Sequence, residues 1–399
     1  MKRLFLIAFS VFLLGSASVQ AGDGVRKGVV GKPLPSWTRG CLDIHAVNSA
    51  RGECTFIIMP DGTTMVIDAG EFPTKENSKY APVPQRPDES VRPYKVYAEY
   101  IRHFLPQGHG ALDYFVLTHY HMDHEGTMDK SYATDPEGGY CLTGVAGLYD
   151  EIRFDKIVDR SYPDYSGKQL LKSTSKDVRF YVDFVNYNVS HRGLKAEKCE
   201  VGTDRQFPLL YDAAGYPQFK IFCYASNGIA WDGEKAVDCH CTRENARSSS
   251  LLFSYGPFEY FTSGDNNAET VPVVAKAIGH HLEAMKCTHH MSNPAAVGTE
   301  MDCFTPQVVI THSFSNRADQ PHQDIIRKYE ASSDLFFTNL DAPTVALDPL
   351  LYAGCRASNG HFVIRVCPGG KRFMVYQLDD TDMTYTVKAV FGPYFCKKR

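Results

Sequence analysis

The 399-residue sequence has little excess charge, no compositional bias and, beyond its N-terminus, no long hydrophobic run. Lys and Arg number 42 against 46 Asp and Glu, a formal net charge of −4, so no overall basic field favours binding of long nucleic acid. Gly (31) and Pro (22) occur at ordinary frequencies, which excludes collagen-like and low-complexity chains. Repeats, a glycine-rich phosphate loop and the motifs of serine or cysteine hydrolases are also missing.

The first 21 residues have the pattern of a secretory signal. Lys2 and Arg3 precede the apolar run Leu4–Leu14, and Val19 and Ala21 supply the small residues of a cleavage site. The apolar run is shorter than the roughly 20 residues of a membrane-spanning helix. We therefore expect cleavage after Ala21 rather than a membrane anchor, and an exported protein, periplasmic or secreted, with no membrane span in the mature chain.

All 12 cysteines follow this segment. An even number of cysteines in an exported chain favours disulfides, although the sequence does not determine which residues pair. The alternative, a metal cluster at Cys239-His240-Cys241, lacks the second cysteine pair that such sites usually have. We expect disulfide bonds.

Short runs rich in β-branched and aromatic residues alternate with a few helical patterns, which predicts a layered α/β (α+β) domain. Strands are predicted at 55–59, 64–67, 114–118, 219–224, 250–254, 258–262, 308–311, 335–338, 361–366 and 372–377, and helices around 97–105, at 271–278 and at 323–329. No linker divides the chain, so we expect one domain over 22–399 with insertions near 71–93 and 159–215.

The strongest chemical signal is the segment 119–124, which reads HYHMDH directly after the apolar run 114–117. Three imidazoles and a carboxylate at the end of a buried strand are typical of a divalent-metal site. Nitrogen and oxygen ligands suit Zn²⁺, with Mn²⁺ or Fe as alternatives. His119 and His121 can face one ion, and Asp123 and His124 can face a second.

This His-x-His-x-Asp-His motif resembles the signature of the metallo-β-lactamase superfamily. Residues 61–70, which end in Asp-Ala-Gly, are similar to the early strand pair of that family, and 258–265, which end in Gly-Asp, to a later metal-binding strand. Residues 286–292, which read KCTHHMS, resemble the Lys-x-x-His-His-Gly-Ser element of the ComEC-like branch, named for the hydrolase domain of a competence DNA-uptake protein. The resemblance extends from about Asp43 to the C-terminal strands.

The resemblance implies a four-layer αββα sandwich with one or two metal ions at one edge between two sheets. It also implies that Asp68 orders the motif loop from behind the ligands, and that Asp123 orients the attacking water. The implied ligands are His119 and His121 for the first metal, Asp123, His124 and His289 for the second, and Asp265 as a bridge between them.

Two ligand assignments stay open. The family supplies a third imidazole to the first metal, and in this chain the source is His191, His240 or none. His312 competes with His289 for the second metal, and we favour His289 because its strand follows Asp265 most closely in sequence.

Three further residues are expected to contact substrate: Lys286, which can meet an anionic group, His290 and His312. Met291 occupies the position of the family's usual glycine, and this restricts the φ and ψ angles that the backbone can adopt there.

These observations predict an exported hydrolase in which metal-activated hydroxide attacks a small substrate. A phosphodiester or other ester-like substrate is favoured by the ComEC-like resemblance alone. The alternatives are a β-lactam or lactone hydrolase, and a metal-stabilised binding protein without turnover. The oligomeric state is not determined.

Overall fold

A computed structural model describes residues 25–72, 84–166, 178–292, 294–313 and 320–397. The signal segment predicted at 1–21 lies outside the described residues, as do parts of the insertions predicted near 71–93 and 159–215. Among the described residues, no helix is both long and apolar enough to cross a membrane.

The described chain forms strands and helices in alternation. The strands are β1 (Leu42–Ala46), β2 (Thr55–Ile58), β3 (Thr64–Ile67), β4 (Leu112–Val116), β5 (Phe154–Asp159), β6 (Lys195–Lys198), β7 (Phe219–Ser226), β8 (Ile229–Trp231), β9 (Ala236–Asp238), β10 (Ser250–Tyr255), β11 (Phe258–Thr262), β12 (Ala284–Lys286), β13 (Val308–Thr311), β14 (Asp334–Phe337), β15 (Ala357–Ser358), β16 (His361–Val366), β17 (Arg372–Leu378) and β18 (Val387–Phe395). The helices are α1 (Pro93–Phe104), α2 (Met122–Glu125), α3 (Gly144–Glu151), α4 (Arg179–His191), α5 (Val271–Ile278), α6 (Pro294–Phe304), α7 (Gln323–Glu330), α8 (Ala342–Leu347) and α9 (Pro349–Ala353).

The strands form two nine-stranded mixed sheets. The first has the order β18-β17-β16-β1-β2-β3-β4-β5-β6, and the second β15-β14-β13-β12-β11-β10-β7-β8-β9. Each sheet has a parallel block, β3 to β6 in the first and β11 to β15 in the second, beside antiparallel strands.

Successive residues of a strand point to opposite faces of its sheet, and here both faces are buried. In β4, Phe115 packs under α1, α3 and α4, whereas Val116 packs between the sheets. In β11, Tyr260 faces the space between the sheets and Phe261 packs under α5, α6 and α7. The layers are therefore helix, sheet, sheet and helix, which confirms the predicted αββα sandwich.

The predicted strands lie within two residues of the observed ones, and α5 has the predicted bounds. β1 was not predicted because Asp43 and His45 interrupt its apolar pattern. Both are buried, with Arg365 donating to Asp43 at 2.6 Å and His45 hydrogen-bonded to Tyr100 at 2.9 Å. The edge strand β6, with sequence KAEK, carries no apolar signal at all.

The expected disulfides are not present among the residues that the structure describes. The Sγ atoms of Cys199 and Cys223 lie 3.2 Å apart, beyond the roughly 2.05 Å of an S–S bond. Cys199 follows β6 of the first sheet and Cys223 lies in β7 of the second, so this pair spans the two sheets.

Candidate metal centre

Strand topology brings the motif residues to one edge of the sandwich. Asp68 follows β3, and the segment 119–124 follows β4, its parallel neighbour. Asp265 follows β11 in the other sheet, and the segment 288–291 follows the parallel strand β12. Because parallel strands end at the same sheet edge, side chains far apart in sequence meet there.

Asp68 fixes the orientation of His124. Its carboxylate accepts from the Thr118 amide at 2.8 Å, from the Thr118 hydroxyl at 2.7 Å and from Nδ1 of His124 at 2.7 Å. The contact of Nδ1 with Asp68 turns Nε2 of His124 toward Asp265. Burial would lower the pKa of His124, but the carboxylates of Asp265, Asp123 and Asp68 raise it well above its ordinary value.

The side chains of His124, His290 and Asp123 surround one oxygen of Asp265. Nε2 of His124 lies 3.3 Å, and Nε2 of His290 3.2 Å, from Asp265 Oδ1, and the two nitrogens are 3.3 Å apart. His290 donates from Nδ1 to the carbonyl of His312 at 2.9 Å, which directs its Nε2 toward Asp265. Oδ2 of Asp123 closes the cluster at 3.6 Å from His290 Nε2. No hydrogen-bond donor of the described residues satisfies Asp265 Oδ1.

The other oxygen of Asp265 faces a second set of imidazoles. Nε2 of His289 lies 3.7 Å, and Nε2 of His119 3.9 Å, from Asp265 Oδ2. Nδ1 of His121 is 3.0 Å from His119 Nε2, and the amide of Asn245 is 3.0 Å from His289 Nε2. Burial and the neighbouring imidazoles of His124 and His121 lower the pKa of His119 well below its ordinary value, so its ring is neutral.

The side chains around Asp265 Oδ1 fit a divalent ion. Nitrogen and oxygen ligands at 2.0–2.2 Å from Zn²⁺ in tetrahedral geometry stand about 3.3 Å apart, close to the separations of 3.2 and 3.3 Å around Asp265 Oδ1. Burial alone would raise the pKa of Asp265, yet His290, His124 and His289 hold it well below its ordinary value. The carboxylate is therefore ionised and lies between the two sets of imidazoles.

The two consecutive histidines lie on opposite sides of Asp265, which differs from the sequence-based assignment. His290, rather than His289, lies beside Asp123 and His124, and His289 supplies the imidazole nearest to His119. The cause is the 3₁₀ turn Thr288–Met291, in which His289 (φ 49°) and His290 (φ 51°) are both left-handed.

Met291 continues this left-handed stretch with φ 61°, at the position where the family has glycine. Such a conformation costs a non-glycine residue of order 1–3 kcal/mol. Its side chain is fully buried in the outer core beside α5 to α7, and burial of this side chain offsets the strain.

The other candidate ligands lie elsewhere. His191 is exposed on α4 and stacks on Tyr187, and His240 is exposed beside Asp238. Nε2 of His312 lies 3.1 Å from the Thr55 hydroxyl, and burial lowers the pKa of His312 to about 3. His312 lies outside the group of ligand atoms that meets at Asp265, and its carbonyl orients His290.

The residues expected to contact substrate are buried instead. Lys286, His290 and His312 are each at most 1% exposed. The side chains that the solvent reaches at this edge are Asp123, which is 21% exposed, His289, which is 24% exposed, and the half-buried His121, Met122 and Asn245.

One residue at the centre was not predicted. Glu53 is fully buried, and one of its carboxylate oxygens lies within 4.8 Å of ligand atoms of His124, Asp265 and His290. It stands alone between β1 and β2 in a segment with no metal-ligand spacing, so the sequence holds no local signal for it.

Comparisons with known proteins add little at this level of similarity. No family model matches the chain, and no curated protein matches it. The crystal structure of unliganded yeast PDE1 has a TM-score of 0.36 at 10% identity and covers 81% of this chain and 99% of its own. Zn(2+)-bound PqqB from Methylobacterium extorquens has a TM-score of 0.34 at 12% identity and covers 80% of this chain and 99% of its own. The assignment of the site rests on its own geometry.

Proposed function

We propose that this protein is a metal-dependent hydrolase of the metallo-β-lactamase superfamily that binds two divalent ions, with Zn²⁺ as the first candidate. The observation that carries the proposal is the position of Asp265, whose two oxygens each face their own pair of imidazoles. Such a bridging carboxylate is typical of two-metal hydrolytic sites.

When bound, the ions would polarise the oxygen of an ester-like bond and lower the pKa of an attacking water. The protein's own groups orient this chemistry. Asp68 and the His312 carbonyl fix the rings of His124 and His290 from behind. Asp123, with its partly exposed carboxylate, can hold the attacking water and accept its proton. Asn245, at the half-buried mouth, can donate its amide to the substrate.

A small phosphodiester or other ester-like molecule is the proposed substrate class. The ComEC-like segment 286–292 supports this choice, and the net charge of −4 disfavours long nucleic acids.

Metal analysis of the purified protein, followed by assays with bis(p-nitrophenyl) phosphate, nitrocefin and a lactone panel, tests the proposal. We expect about two ions per chain and turnover of the phosphodiester. The variant His121→Ala should lose turnover while it keeps the wild-type circular dichroism spectrum, because its ring is half-exposed. Less than one ion per chain, with no turnover after addition of Zn²⁺ or Mn²⁺, refutes the proposal.

We further propose that the protein is exported and that some of its cysteines form disulfides. The support is the N-terminal pattern of residues 1–21 and the contact between Cys199 and Cys223. N-terminal sequencing of the protein isolated from its host tests export. The expected first residue is Gly22, and an intact Met1 contradicts cleavage.

A further inference from the structure

Directly behind the metal centre, Glu53 and Lys286 form a buried ion pair between the two sheets. The Lys286 ammonium lies 2.8 Å from a Glu53 oxygen, and both side chains are at most 1% exposed. Glu53 is tied to the motif loop, because its amide donates to the Asp123 carbonyl at 2.8 Å and its carbonyl accepts from Gly70 at 2.9 Å. Lys286 is the last residue of β12.

Lys286 also holds the bridging carboxylate in place. Its ammonium donates to the carbonyl of Gly264, the residue before Asp265, at 2.7 Å, and lies 3.7 Å from Asp265 Oδ1. An ammonium at this distance repels any cation bound at Oδ1, and the repulsion is strong because the site is buried. A lysine here therefore requires a nearby negative charge.

Glu53 supplies that charge. Its carboxylate lies 2.8 Å from the Lys286 ammonium, with both side chains buried. No hydrogen bond from the described residues reaches either of its oxygens, which leaves the ammonium as its main compensation. The same oxygens lie close enough to His124 and His290 for Glu53 to serve as a metal ligand itself.

We infer that Glu53 is a positioning residue that neutralises Lys286, so that Lys286 can fix Asp265 without weakening cation binding, and that Glu53 is not a ligand. The short ion pair favours this role, because a carboxylate held by an ammonium at 2.8 Å is a poor partner for a second cation. The inference rests on the proposed metal centre.

A charge-removal series tests it, with Co²⁺ as the probe and affinity measured by titration calorimetry and visible absorption. Glu53→Gln leaves the ammonium uncompensated and should weaken the more affected of the two Co²⁺ sites by roughly 10- to 100-fold, the range seen when groups behind metal ligands are removed. Glu53→Gln with Lys286→Met removes both charges and restores the net charge of the wild-type pair, so it should bind Co²⁺ more tightly than Glu53→Gln alone and keep the wild-type visible Co²⁺ spectrum.

Asp43→Asn is the matched control. Asp43 forms an equally buried ion pair with Arg365 on β1 and β16, away from the centre. It should lower the thermal unfolding temperature and leave Co²⁺ affinity unchanged. The fold of each variant is checked by unfolding in the presence of a chelator.

Three outcomes are distinguishable. Wild-type Co²⁺ affinity in Glu53→Gln overturns the inference and leaves only a structural role. A visible Co²⁺ spectrum in the double variant that differs from the wild-type spectrum makes Glu53 a ligand and also overturns it, and this comparison stands even where Glu53→Gln alone does not fold. A wild-type protein that binds no Co²⁺ refutes the metal centre itself rather than the role of Glu53.

Discussion

Replacement of Gly70 by alanine is the most direct steric test of the motif loop. A Cβ atom on Gly70 would lie 1.7 Å from the carbonyl oxygen of Asp123. Gly70 cannot easily move away, because its amide donates to the Glu53 carbonyl at 2.9 Å and its carbonyl accepts from the Tyr97 hydroxyl at 2.9 Å. The added methyl group must therefore displace Asp123.

The size of the displacement sets the expected effect. Cβ atoms essentially never approach other heavy atoms within 3.0 Å, so the Asp123 carbonyl must shift by more than 1 Å. A misplacement of about 1 Å in a catalytic group costs roughly 100-fold in rate, or about 2.7 kcal/mol in transition-state stabilisation. Overpacking of this kind also destabilises the fold by about 1–3 kcal/mol.

The assay compares Gly70→Ala with wild type for hydrolysis of bis(p-nitrophenyl) phosphate, for bound metal and for thermal unfolding. We expect kcat/KM to fall by about 100-fold. Gly110→Ala is the control, because a Cβ at the exposed Gly110 meets nothing within 4 Å, and it should behave as wild type. Wild-type kcat/KM and metal content in Gly70→Ala would refute the reasoning.

Three further predictions concern a buried acid, the paired histidines and the contacting thiols. Burial raises the pKa of Glu300 from 4.5 to about 7, so the folded state binds this proton more tightly than the unfolded chain. The stability that protonated Glu300 contributes is therefore complete below pH 4.5. The free energy of unfolding falls by about 3 kcal/mol as the pH rises from there to about 7. Glu300→Gln should flatten this slope and raise the unfolding temperature at pH 8. His290→Ala and His289→Ala should each bind about one ion fewer than wild type, on opposite sides of Asp265, as measured by metal analysis. Oxidised glutathione should link Cys199 to Cys223, the two thiols giving up two electrons and two protons to form two reduced glutathiones, as detected by non-reducing peptide mapping.

Each of these predictions has an outcome that contradicts it. If the stability of Glu300→Gln falls with pH as steeply as that of wild type, Glu300 is not the cause of the pH dependence. His312→Ala is the control for the paired histidines, since alanine keeps the backbone carbonyl that accepts from His290, and loss of an ion in that variant would make the His312 ring a ligand. Cystine peptides that join Cys199 to a different partner would contradict the cross-sheet link.

Features of this protein that depend on a few consecutive residues can be predicted from its sequence. Strands such as Phe258–Thr262 and His361–Val366 were predicted with the observed bounds, because each is a continuous run of residues that suit a sheet buried on both faces. The motif 119–124 points to a metal because the chemistry of its ligands and their position after an apolar strand are properties of a few consecutive residues.

The strand β1 shows where such patterns fail. Its polar residues Asp43 and His45 look like surface positions, and only the arrival of Arg365 and Tyr100 from distant segments makes their burial favourable. A prediction from local sequence pattern includes only one residue of each pair, because the other residue is far away along the chain.

Part of the candidate metal centre could likewise be predicted from the sequence, and part depends on the tertiary structure. The sequence by itself determined the spacing of His119, His121, Asp123 and His124, which is local and predicts a metal-binding motif. Only the tertiary structure decided that His289 and His290 face opposite oxygens of Asp265, and that Lys286 is buried against Glu53. Backbone turns with positive φ and ion pairs across two sheets depend on atoms that meet only after folding, and no spacing along the chain encodes them.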